Sequence, residues 1–146
     1  MTQSDIMTKV ARTAKALGAC AKTDYAQNIE SMAELFFSPK GREFCLRLGY
    51  PGIELWREIK AHTPDLEKFG IYVDAGNIAV KANEFLALIG NTYASVEVSG
   101  CDVLHHIIAM HKAFAVVTAT NHTVIATEAG DDCTIKINTY NGSIAL

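Results

Sequence analysis

No apolar run in this chain approaches the roughly 18 residues that a membrane-spanning helix needs, and the opening Met1-Thr2-Gln3-Ser4-Asp5-Ile6 has neither a basic segment nor a continuous apolar one. These absences predict a cytoplasmic protein with no membrane contact. The four cysteines, Cys20, Cys45, Cys101 and Cys133, never fall as Cys-x-x-Cys, which removes zinc knuckles and thioredoxin-like motifs and leaves reduced, mostly buried thiols as the expectation. Positive charge is scarce in the second half: residues 70–146 hold three Lys and no Arg against seven Asp and Glu. An acidic half repels phosphate backbones, so nucleic-acid binding through it is disfavoured. Also missing are Gly-x-Ser-x-Gly, a phosphate-cradling Gly-rich loop ahead of a helix, and paired carboxylates in a catalytic context. No catalytic residue and no cofactor is assigned, and the chain reads as a non-enzyme.

What is present is a folded composition, with 49% hydrophobic and 20% charged residues in 146, enough for one domain or two small units sharing a core. The first half carries helix signals. Ser4 is the expected cap of a first helix, whose face is Ile6, Val10, Ala14 and Leu17. Asp24 with Gln27 three residues on suggests a capping box ahead of Tyr25, Ile29, Met32, Ala33 and Phe36. Ser38-Pro39 reads as N-cap and first residue of a third helix stopped by Gly49, and Ile53, Leu55, Trp56 and Ile59 build a fourth that ends before Thr63-Pro64.

Beyond Phe69 the period changes from 3.6 to 2. Ile78, Val80 and Ala82 alternate with Ala79 and Lys81, Val96 and Val98 with Ser95 and Glu97, and Ile135 and Ile137 with Thr134 and Lys136. Turn-formers cut this run at nearly even intervals, from Gly76-Asn77 and Gly90-Asn91 to His111-Lys112, Asn121-His122 and Asn141-Gly142. The fold class is therefore α+β: a helical unit over about 1–66 packed with an all-β repeat unit over about 67–146. Short strands, regular small turns and scarce aromatics after Phe114 favour a short β-solenoid, whose narrow interior suits stacked Val, Ile and Ala. An antiparallel β-sandwich is the alternative, and a small barrel the third architecture.

The densest cluster of reactive side chains is Cys101, Asp102, His105 and His106, with His111 five residues later. Cys101, His105, His106 and His111 are the candidate metal ligands, because imidazole and thiolate donors suit transition metals when they converge. In a strand, however, His105 and His106 face opposite sides, and the ordinary reading is a stack of hydrogen-bonded histidines. In the helical half, Lys40, Arg42, Arg47, Arg57 and Lys60 surround Tyr50 and Trp56, a mixture that can bind nucleic acid, although Glu43, Glu54 and Glu58 neutralise it. Tyr50 and Trp56 are assigned to a contact surface, as are Ile144 and Leu146, because Ser143-Ile144-Ala145-Leu146 reads as a strand whose edge needs a cover.

Ser38-Pro39-Lys40-Gly41-Arg42-Glu43-Phe44-Cys45, then Gly49-Tyr50-Pro51, then β segments such as Gly90-Asn91-Thr92-Tyr93-Ala94-Ser95-Val96-Glu97-Val98, form an order that resembles small uncharacterised proteins carried by bacterial phages and mobile elements. The resemblance spans about residues 38–146. It implies a bacterial or phage cytosolic setting and a contact-making role, and brings no site residues. The expected function is a structural or regulatory interaction protein that presents a rigid β-repeat surface to a protein partner or to itself as a homo-oligomer. A metal- or small-ligand-binding protein centred on the histidines, and a nucleic-acid binder through the helical half, are the alternatives.

Overall fold

A computed structural model describes residues 2–146, with every side chain in that range except those of Ala21 and Tyr25. Two compact units divide between Phe69 and Gly70. The first holds α1 (Gln3–Ala16), a 3₁₀ turn (Ala21–Tyr25), α2 (Ile29–Phe37), α3 (Pro39–Leu48), α4 (Ile53–Ala61) and a second 3₁₀ turn (Leu66–Phe69). Among the described residues no helix is long and apolar enough to cross a membrane.

Local chemistry sets the ends of these helices, in places one residue group away from expectation. Thr2, not Ser4, caps α1: its hydroxyl accepts from the Asp5 N–H, while the Asp5 carboxylate accepts from the Thr2 N–H at 2.8 Å. The expected box at Asp24 and Gln27 moves to Asn28 and Ser31, where Asn28 Oδ1 accepts from Ser31 N–H at 2.8 Å and Ser31 Oγ accepts from Asn28 N–H at 3.1 Å. Asp24 pairs instead with Lys15. Ser38 and Pro39 open α3 as expected, and Gly49, at φ 63°, closes it in the left-handed conformation that suits glycine. Ile6, Val10 and Ala14 are buried on α1, but Leu17, its C-cap, is exposed. With Met7, Met32, Phe36, Phe37, Trp56 and Ile59 they form the core of the unit.

The second unit is a parallel β-solenoid of about four turns, with nine strands: β1 (Ile71–Val73), β2 (Gly76–Lys81), β3 (Phe85–Ile89), β4 (Thr92–Val98), β5 (Leu104–Met110), β6 (Phe114–Ala119), β7 (Val124–Ala129), β8 (Thr134–Thr139) and β9 (Ile144–Ala145). Odd strands form one sheet, β1-β3-β5-β7-β9, and even strands the other, β2-β4-β6-β8, with every pairing parallel. The sandwich is thereby ruled out, since its hairpins require antiparallel neighbours.

In-register stacking places like residues over one another, coil upon coil. Val80, Val96, Val117 and Ile137 make one inward row, and Ile78, Ala94, Ala115 and Ile135 another. Across the narrow interior stand Leu86, Leu88 and Ile107 of the odd sheet, so small residues on one wall leave room for large ones on the other. At the corners, consecutive residues adopt left-handed backbone: His111 and Lys112 at φ 55° and 71°, Asn121 and His122 at 57° and 61°, Asn141 and Gly142 at 52° and 76°. Each non-glycine residue there costs about 1–2 kcal/mol, which the ladders on either side offset.

Candidate interaction surface

Strand geometry separates the candidate metal ligands. His105 pairs with Ile125 and points inward, where it is 3% exposed, while its neighbour His106 points outward and stacks on Phe85 at 5.3 Å and 17°. His111 lies in the turn after β5, and at about 3.3 Å per extended residue it stands roughly 16 Å from His106. Cys101 is exposed in the β4–β5 connection. Among the described residues no three His, Cys, Asp or Glu groups come together as a metal site. Adjacency in sequence works against convergence here, because period 2 sends successive side chains to opposite faces.

His105 instead acts as a corner pin. Nδ1 lies 2.8 Å from the Asn83 carbonyl and Nε2 lies 3.1 Å from that of Gly100. Carbonyl oxygens only accept, so each tautomer of the neutral ring donates to one of them. The ring thus sits between the β2–β3 and β4–β5 connections inside the solenoid and holds one of them at a time.

Tyr50 and Trp56 are core residues, not contact residues. Trp56 is fully buried, edge-on to Phe36 at 5.3 Å, and Tyr50 is 7% exposed with its hydroxyl donating to the Val10 carbonyl at 2.5 Å. Trp56 is carried inward by the apolar face of α4, and Tyr50 enters the core from the connection after α3. Of the surrounding cations, Arg57 pairs with Glu54 at 3.0 Å and Arg42 donates to the Phe37 carbonyl. Arg42 and Arg57, which the nucleic-acid alternative requires, are therefore engaged within their own unit.

The thiols are not mostly buried as expected, since Cys20 and Cys101 are exposed, Cys133 is partly buried and Cys45 alone is buried. Burial pushes the Cys45 thiol up to about 12. Burial also raises that of Cys133, whose sulfur lies 3.5 Å from the Asp132 carboxylate. Both are held in the protonated form, which is the poor nucleophile.

Ile144 and Leu146 stand exposed, at 54% and 72%, and the register shows what they belong to. Ile144 pairs with Val124, which pairs with Leu104, so three aliphatic side chains line up outward across β5, β7 and β9. Leu104 is 37% exposed and Val124 half-buried. Leu146 N–H donates to the Ile125 carbonyl at 2.8 Å, which carries the parallel pairing one step further and places Leu146 beside this row. Val103, 42% exposed, flanks it at the start of β5. Sequence reasoning found the C-terminal members but missed Leu104 and Val124. Their signal was the twenty-residue offset that repeats from Leu104 to Val124 to Ile144.

The even sheet offers a different outward face, more polar and less apolar in sequence order. Tyr93, 49% exposed, pairs with Phe114, and Lys136 Nζ lies 5.7 Å from the Phe114 ring centroid. A cation over an aromatic face is satisfied locally. The aliphatic row on the odd sheet has no such cover. No family model, curated protein or solved structure matches the chain.

Proposed function

We propose that this is a non-enzymatic interaction protein whose solenoid offers a pre-ordered surface to a protein partner, with a second copy of the chain as the first partner to test. The observation that supports this reading is the outward row Leu104–Val124–Ile144 with Leu146 beside it. Contiguous exposed apolar side chains favour association, and a stacked parallel sheet has little conformational entropy left to lose when it binds. A row with a regular inter-strand spacing of about 4.8 Å is complementary to a copy of itself turned about a two-fold axis. The phage or mobile-element setting belongs to the same reading and adds no residue to it.

Light scattering behind a sizing column, run over a range of concentrations, tests the proposal. The expected result is a concentration-dependent homo-oligomer that Val124→Asp converts to monomer with unchanged far-UV circular dichroism. A chain that is monomeric at every concentration overturns self-association. An oligomer that survives both Leu104→Asp and Val124→Asp overturns the role of the row.

A further inference from the structure

The helical unit contains a cleft of about 600 Å³ between α1, the first 3₁₀ turn, α2 and α3. That volume lies in the usual range for small-molecule sites. Its deeper wall is apolar, built by Val10, Ala14, Met32, Phe36 and Cys45, all buried, with Phe44 half-exposed at the side. Three hydroxyl side chains line this region, those of Thr23, Ser38 and Tyr50, and the last two are already occupied. Tyr50 donates to the Val10 carbonyl, and Ser38 donates to the Leu35 carbonyl at 2.6 Å while accepting from Gly41 N–H at 3.1 Å. A ligand inside therefore meets mostly methyl, methylene and aromatic groups, with the Thr23 hydroxyl and the Cys45 thiol as the polar exceptions, and a strongly polar molecule would lose most of its hydration there without replacement.

The rim has the opposite chemistry. Lys22, Lys40 and Arg47 line the cleft and are exposed, with Glu43 as the single carboxylate among the lining residues. None of the three cations makes an ion pair among the described residues. Elsewhere in the same unit Lys9 meets Glu58, Lys15 meets Asp24, Arg57 meets Glu54 and Lys68 meets Asp65. Four cations away from the cleft thus meet acids, Arg12 being an exposed exception, while the three around it meet none among the described residues. An apolar interior below a ring of unmatched positive charge is complementary to a molecule with a hydrocarbon tail and a negative head.

We propose that the cleft binds a single-chain anionic amphiphile, a long-chain fatty acid being the simplest. The chain lies along Val10, Ala14, Phe36 and Phe44, and the carboxylate sits among Lys22, Lys40 and Arg47. This site is independent of the aliphatic row on the solenoid.

The test uses the full chain, stripped of lipid, titrated calorimetrically with oleate below its micelle concentration and with oleyl alcohol, which has the same chain and no charge. The expected result is saturable one-to-one oleate binding, with the alcohol about tenfold weaker or more. Lys40→Glu with Arg47→Glu, both exposed, should weaken oleate about tenfold and leave the alcohol unchanged, since exposed ion pairs contribute modestly and only the charged ligand makes them. Ala14→Trp should abolish binding of both ligands if circular dichroism shows the fold intact. Absence of saturable oleate binding overturns the proposal. So does equal affinity for oleate and alcohol with no effect of the charge reversals. Binding only to vesicles of anionic phospholipid, with none to monomeric oleate, would assign the cations to a membrane surface and overturn the cleft.

Discussion

The α-carbon of Gly41 in α3 lies directly against the carbonyl of Leu35 in α2, so that a Cβ on Gly41 would stand 1.9 Å from that oxygen and 2.9 Å from Ser38 Oγ. Such an approach is what lets Ser38 end one helix and begin the next as the one residue between Phe37 and Pro39.

Gly41→Ala therefore sets two effects against each other. Helix propensity alone favours Ala by about 1 kcal/mol, while forcing a methyl into backbone costs on the order of 3 kcal/mol, at the upper end of overpacking penalties. The clash should win, lowering the urea midpoint of the helical unit. A variant as stable as the parent would mean that α2 and α3 do not meet this closely.

The solenoid register makes neighbours in β6 behave oppositely. Ala115 is fully buried and faces inward between Ala94 and Ile135, whereas Val116 faces outward between Ser95 and Lys136. Ala115→Leu should destabilise by roughly 1–3 kcal/mol through overpacking, and Val116→Thr should stay within about 0.5 kcal/mol. Thermal melts of the pair would separate them, and a reversed order would place the register one residue out.

His105 stands between the carbonyls of two connections, Asn83 at 2.8 Å and Gly100 at 3.1 Å, and donates to one of them. His105→Leu keeps about the same volume but strips the donor, and losing that hydrogen bond to a partly exposed carbonyl should cost about 0.5–1.5 kcal/mol. Amide exchange should quicken around residues 82–84 and 99–103 before the rest of the solenoid. Uniform exchange across the unit would remove the pin from the account.

Alkaline conditions should weaken the helical unit. The Cys45 thiol, ordinarily near 9.0, is pushed up to about 12 by burial, and the Tyr50 phenol, ordinarily near 10.0, is pushed up to about 12 by burial and by neighbouring Cys45. Both groups hold their protons more tightly when folded, so the unfolded state releases them first as pH rises. The stability they contribute is complete below about pH 9 and is lost toward pH 12. Denaturation midpoints measured across this window should fall for the parent chain and fall less for Cys45→Ala. Identical slopes would show that Cys45 is not linked to folding.

Where a signal is local, the sequence carried it to the right residue. Ser38-Pro39 opens α3 and Gly49 closes it because an N-cap hydroxyl, a fixed proline φ and a left-handed glycine act within a few residues. Competing local signals were harder to rank: Thr2 displaced Ser4, and the Asn28–Ser31 pair displaced Asp24 and Gln27, since each cap satisfies the same orphan N–H groups. Trp56 and Tyr50 read in sequence as contact-surface residues, but Trp56 lies on the buried face of α4, and Tyr50, which follows the Gly49 cap of α3, is buried with its hydroxyl on the Val10 carbonyl.

By itself the sequence determined two helical and β halves, the alternation within each strand, and a repeat spacing suited to a solenoid, because periodicity and turn chemistry are written in neighbouring residues. Only the tertiary structure decided which residues meet across coils. Parallel stacking joins Leu104 to Val124 and Ile144, and the packing of α1, α2 and α3 sets a largely apolar cleft beside Lys22, Lys40 and Arg47. Such relations depend on register and on helix packing, which join residues tens of positions apart and leave no mark in any short window of the chain.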